Sequence, residues 1–143
     1  MDIIRSHALI RYYCMKENIE VIKSNMWSFD HNERLITEVW RSKPTKTWLY
    51  SILHELGHMM NRFDDSFSER NWKIHELGVN KPVDKIASFQ IMKDEIEAWD
   101  RGYKIALELN IDIDKIEYDK ISSYYLFEYI KWIPCEYDYL RSN

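Results

Sequence analysis

The sequence predicts a mainly helical α+β domain in which a short antiparallel sheet or hairpin lies beside one central amphipathic helix. Three observations carry this. Only three Gly and three Pro interrupt the chain, which favours long regular elements over tight turns. Apolar residues recur at helical spacing in four separate stretches. A run between them, Leu35 to Trp40, instead alternates with the period of a half-exposed strand.

The elements follow in order. Ile3, His7, Ile10 and Cys14 form one stripe of a helix over Ile3 to Asn18, with His7 read as a packing residue. Ile19 to Lys23 is a short strand. Met26 to Phe29 and Arg34 to Trp40 flank the turn-prone Asp30-His31-Asn32-Glu33 and form a hairpin. A polar loop broken by Pro44 leads to Thr45 or Thr47, either of which can cap the next helix. That helix carries Leu49, Ile52, Leu53, Leu56, Met59 and Met60, so much of it should be buried. A polar loop over Asn61 to Glu69 and a short helix over Ser68 to Leu77 come next, stopped by Gly78 with Pro82 beyond. Lys81 to Lys93 shows no clean period. From Asp94 to Asn110 the pattern is helical, with Asp94, Glu95 and Glu97 expected in the first turn, where acids favour the helix dipole. Asp112 and Asp114 are N-cap candidates for an aromatic helix over Lys115 to Ile133. Its Tyr124, Tyr125, Phe127, Tyr129 and Trp132 read as packing residues.

Composition bounds the rest. At 143 residues, 45% of them apolar and 15% aromatic, the chain suits a single domain spanning residues 1–143 with its own core. A formal charge of −4 gives no electrostatic case for nucleic acid or an anionic membrane. The charged N-terminus, MDIIRSHALIRYYCMKENIEV, does not read as a signal peptide, and no long apolar span follows. Cys14 and Cys135 are too isolated for a disulfide framework or a thiolate metal site. A cytoplasmic protein with two reduced thiols is the expectation.

Within the buried helix stands His54-Glu55-Leu56-Gly57-His58. Histidines four apart lie about 40° apart in azimuth and one turn above each other, so both can reach one ion. Glu55 is placed to deprotonate a water activated by that ion, which is the HExxH logic of zinc peptidases. Burying two imidazoles and a carboxylate unpaired costs several kcal/mol, and a metal removes that objection. A catalytic zinc needs a third protein ligand and one open position. Asp64, His75, Glu95 and Glu97 compete for the role. Glu95 is favoured, because it shares a helix face with the small Ala98, which lets two helices approach closely. Glu97 points roughly 160° away from it. His75-Glu76-Leu77-Gly78 repeats four letters of the motif but has Val79 in place of the second histidine.

With LHELGH at Leu53 to His58, and EIEAW at Glu95 to Trp99 followed by Arg101-Gly102, the chain resembles the gluzincin-type zinc metallopeptidases. It looks most like small phage- and mobile-element-associated members near the ImmA/IrrE group, over roughly Ile19 to Leu109. The resemblance implies a zincin-like domain. It also implies Zn2+ held by His54, His58 and Glu95, Glu55 as general base, and a protein or peptide as substrate in the cytoplasm of a bacterial host. In such peptidases an edge strand near the metal helix binds the extended substrate, and the strand just upstream, Arg34 to Trp40, is the expected one. An oxyanion donor is also expected, with Tyr103 as the candidate. The long aromatic C-terminal helix and the lack of a recognisable helix-turn-helix depart from that pattern and bear on the substrate. The alternative is a non-catalytic, metal-stabilised binding or inhibitor protein acting on a partner protein. A third reading is hydrolysis of something other than a peptide.

Overall fold

Helix α1, Ile3–Lys16, begins where the Asp2 carboxylate accepts the amide of Arg5 and ends where Asn18 takes the left-handed conformation (φ 56°). Ile19 N–H then reaches back to the Cys14 carbonyl at 2.8 Å, closing the helix and turning the chain into the sheet. The computed structural model describes residues 1–77 and 85–130, with residues 75–77 and 130 described by their backbone alone. The elements after α1 are β1 Glu20–Ser24, β2 Ser28–Asp30, β3 Leu35–Val39, α2 Lys46–Phe63, α3 Phe67–Arg70, α4 Trp72–Leu77, α5 Lys85–Glu108 and α6 Lys115–Ile130. The fold is α+β and mainly helical.

The sheet departs from the expected antiparallel one. The β2–β3 hairpin forms as its turn residues suggest, with the Asp30 carboxylate accepting the amides of Asn32 and Glu33. β1 then adds on the far side of β3 and runs parallel to it, giving a mixed sheet of order β1-β3-β2. The strand directly upstream of α2 is therefore the central one, and the edge beside the metal helix is β2. In β3, Ile36 and Glu38 turn inward. Glu38 is buried but paired, with Arg11 on one oxygen and the Trp48 indole N–H on the other. His7 packs against Trp40 and Trp48 and lies outside the His54–Glu95 cluster.

Helix α2 starts at Thr45, whose hydroxyl accepts the Trp48 amide. It runs through the core, packing chiefly on α5. It continues to Phe63, so Asn61 is helical rather than part of a loop. Helix α5 starts at Lys85, nine residues earlier than its apolar pattern suggests. The reason is a buried face that includes Ser88 and Gln90, while Ile86 and Phe89 face solvent. Buried Gln90 is satisfied by the Lys73 and Ile74 amides at the start of α4. Asp94, Glu95 and Glu97 thus lie mid-helix, where the dipole gives them nothing, and Asp94 and Glu95 are buried.

Two glycines set how closely α2 and α5 cross. A Cβ on Gly57 would stand 1.8 Å from the Ala98 carbonyl oxygen, and one on Gly102 would stand 2.5 Å from the Leu53 carbonyl oxygen. α5 ends at Asn110 in the left-handed region, and Asp114 caps α6. On α6, Tyr118 is buried and donates to the Trp99 carbonyl, but Tyr124, Tyr125 and Phe127 are exposed, against the packing role expected of them. A helix covered on one side only leaves half its aromatics in water. Among the described residues no helix is long and apolar enough to cross a membrane. Cys14 is buried, which pushes its thiol up to about 12 and leaves it unreactive. Gly78, Pro82, Trp132 and Cys135 lie outside the described residues.

Candidate metal centre

His54 and His58 leave α2 one turn apart, and Glu95 meets them from α5. The Glu95 carboxylate spans the pair, with Oε2 2.7 Å from His54 Nε2 and Oε1 3.1 Å from His58 Nε2. One ligand atom from each residue lies within 4.8 Å of the other two. The close crossing allowed by Gly57 places them so: any side chain there would push α5, and Glu95 with it, away from the histidines.

Each imidazole is held in plane by an aromatic ring. Trp99 stacks on His54 at 4.3 Å and 7°, and Phe29 of β2 stacks on His58 at 4.9 Å and 7°. His58 Nδ1 faces the Asp94 carboxylate at 3.5 Å. Asn61 holds that carboxylate by donating to Asp94 Oδ1 at 2.6 Å. Both ring nitrogens of His58 thus face carboxylates, Nδ1 towards Asp94 and Nε2 donating to Glu95, and a metal at Nε2 would take the place of its proton while Asp94 orients the ring from behind. Nothing in the sequence pattern marked Phe29, Asn61 or Asp94 for this role, because Phe29 and Asp94 reach His58, and Asn61 reaches Asp94, only through tertiary packing.

The charges are strongly coupled. Burial opposes a charge on His58, but Asp94 and Glu95 outweigh it and push the imidazole up to about 10. Burial likewise opposes ionisation of Glu95, yet hydrogen bonds with His54 and His58 hold its carboxyl well below the usual range. Glu55 shows the opposite balance: burial raises its pKa, and the nearby histidines offset this only in part. Its carboxylate has no hydrogen-bond partner among the described residues.

These groups open onto a cleft of about 260 Å³ lined by Trp27, Ser28 and Phe29 on one side and by Ile91, Asp94 and Tyr129 on the other. Tyr129 hydrogen-bonds Glu95. The expected oxyanion donor Tyr103 is elsewhere, with its ring against Tyr118 and Lys115. No family model matches the chain, and no curated protein or solved structure matches it either.

Two of the competing ligands, Glu97 and Asp64, are engaged apart from the cluster. Glu97 pairs with Arg70 at 3.0 Å. Asp64 pairs with Arg101 at 2.6 Å and with Arg70 at 3.4 Å. The side chain of His75 lies outside the described residues. The Ser66 amide and hydroxyl, then Arg101 and Arg70, hold the Asp64 carboxyl down at about 2. Its folded pKa lies below the unfolded one, so its stabilisation is present above about pH 4 and is lost as the pH falls toward 2. Denaturant melts of Asp64→Asn should therefore lie below those of the wild type at pH 7, with the gap narrowing below about pH 4 and closing only below about pH 2.

Proposed function

We propose that this chain is a zinc-dependent metallopeptidase of the gluzincin type, with His54, His58 and Glu95 as metal ligands and Glu55 as general base. The observation that carries the reading is Glu55. A buried carboxylate without a hydrogen-bond partner among the described residues, facing a cleft beside two imidazoles and a second carboxylate, costs stability and suits a group that must exchange a proton. The donor set also fits zinc: two imidazole nitrogens, that of His58 once a metal displaces its proton, and one carboxylate oxygen from an adjacent helix, all bordering the cleft.

A zinc held by His54, His58 and Glu95 would acidify a water and polarise a carbonyl. Glu55 accepts the proton of the attacking water and returns it to the leaving amine nitrogen as the C–N bond breaks. Its raised pKa brings it nearer to neutrality, where a base that must also act as an acid works best. Trp99 and Phe29 fix the imidazole planes, and Asp94 orients the His58 ring from behind. Tyr129, on the cleft wall, is placed to donate to the substrate oxygen as it becomes negative. The β2 edge, with Ser28 and Phe29 in the cleft lining, offers main-chain groups to an extended peptide.

The test is cleavage of a randomised peptide library. Cleavage should be abolished by a chelator, restored by zinc, and reduced roughly 10–10³-fold in Tyr129→Phe at unchanged metal content. Cleavage indifferent to chelation, or absent from the zinc-loaded protein, contradicts the proposal. A further reading, distinct from the metal-stabilised binding or inhibitor protein, is a metal-free His–Glu–His cluster, and one observation favours it: Glu95 already hydrogen-bonds both imidazoles.

A further inference from the structure

A second cavity, of about 400 Å³, adjoins the cleft and shares Trp27 with it. Its walls include Trp40 and Trp48, and Arg41 and Lys43 stand at its rim. Both cations are exposed and have no ion-pair partner among the described residues. Among the described residues no acid lines the cavity. The buried carboxylate of Glu38, adjacent in sequence to the lining residue Val39, is taken by Arg11 and by the Trp48 indole. Lys23 adds a further positive charge 5.1 Å above the Trp40 ring. In a chain of net charge −4, this is a local cationic pocket with aromatic walls, separated from the candidate catalytic cleft by the Trp27 that lines both.

We infer that this pocket is a substrate subsite that takes an acidic side chain of the bound peptide. The inference rests on the peptidase reading for what is bound, and on Arg41, Lys43 and the tryptophans for the chemistry. Tryptophan walls exclude water from the methylenes of a Glu or Asp side chain, and the two cations receive its carboxylate at the rim. The helix sets the spacing. Thr47 lines this cavity and Glu55 lines the cleft; eight residues of α2 separate them, about 12 Å along its axis. An extended peptide spans that distance in three to four residues at about 3.3 Å each. The acidic residue therefore sits three to four positions from the scissile bond.

The test uses the Glu55→Gln protein with zinc and two labelled pools of C-terminally amidated dodecapeptides. Both pools are randomised over uncharged residues, one with a single Glu and the other with Gln in its place. Fluorescence anisotropy should show the Glu pool binding about tenfold tighter at low salt, with the preference shrinking as salt rises. The double reversal Arg41→Glu/Lys43→Glu, at two exposed positions, should abolish the preference and leave Gln-pool binding within twofold. Equal binding of the two pools, or a Glu preference that survives the reversal, overturns the subsite. So does tighter binding of a single-stranded oligonucleotide than of the Glu pool, which assigns the pocket to phosphate. A Glu preference that the reversal abolishes, in a protein whose wild type cleaves neither pool, upholds the subsite and refutes the peptidase reading instead.

Discussion

Glu55→Gln is expected to lose turnover by roughly 10²–10⁴-fold, the usual worth of a positioned general base, while keeping its metal and its fold. Gln has nearly the same shape but cannot take a proton. Nothing in the fold depends on the carboxylate, since it has no hydrogen-bond partner among the described residues. The sign of the stability change separates this reading from a structural one. The folded-state pKa of Glu55 is raised by burial, so the native chain binds this proton more readily than the unfolded chain does. Ionised Glu55 therefore costs stability as the pH rises past its unfolded value. Neutral Gln removes that cost, and the variant should melt no lower than the wild type at pH 7. A protein that gains or keeps stability while losing activity marks a residue retained for chemistry. Retained turnover, or a large drop in melting temperature, contradicts the role given to Glu55.

Gly57→Ala should have the opposite profile, with fold and site lost together. On an exposed helix surface this change stabilises by about 0.5–1 kcal/mol, because alanine is the better helix former. Here the new Cβ would stand 1.8 Å from the Ala98 carbonyl oxygen and 3.0 Å from its Cα. Both obstacles are backbone, so no side-chain rotation relieves them and α5 must move. Overpacking costs typically 1–3 kcal/mol and more where backbone resists, so the clash outweighs the propensity gain. Because Glu95 rides on α5, the shift should also weaken metal binding. Chemical denaturation should show a loss of at least about 3 kcal/mol, and zinc affinity should fall with it. A variant as stable as the wild type would mean that the helices cross further apart than described.

Some of this was readable from residue order and some was not. Local chemistry was legible. Thr45 caps α2, the turn after Asp30 makes the hairpin, and the His54–Glu55–His58 spacing puts three groups on one helix with Glu95 and Ala98 on the facing one. Periodicity failed where burial and polarity part company. Buried Ser88 and Gln90 hid the first turns of α5, so Asp94 read as a dipole-favoured surface acid when it is a buried partner of His58. It failed again on α6, where exposed Tyr124 and Phe127 carry the apolar character of core residues. Contacts across the fold left no sequence signal at all. Phe29 on His58, Trp99 on His54 and Tyr129 rather than Tyr103 in the cleft each depend on how two elements pack.

The central claim is a metal ion held by His54, His58 and Glu95, and zinc content by elemental analysis tests it most directly. The wild type, Asp64→Ala and His75→Ala should each carry about one zinc per chain, and Glu95→Ala should carry none, as expected for a three-ligand site. A zinc-free wild type after reconstitution, or zinc retained in Glu95→Ala, would contradict the account and leave a hydrogen-bonded His–Glu–His cluster in its place.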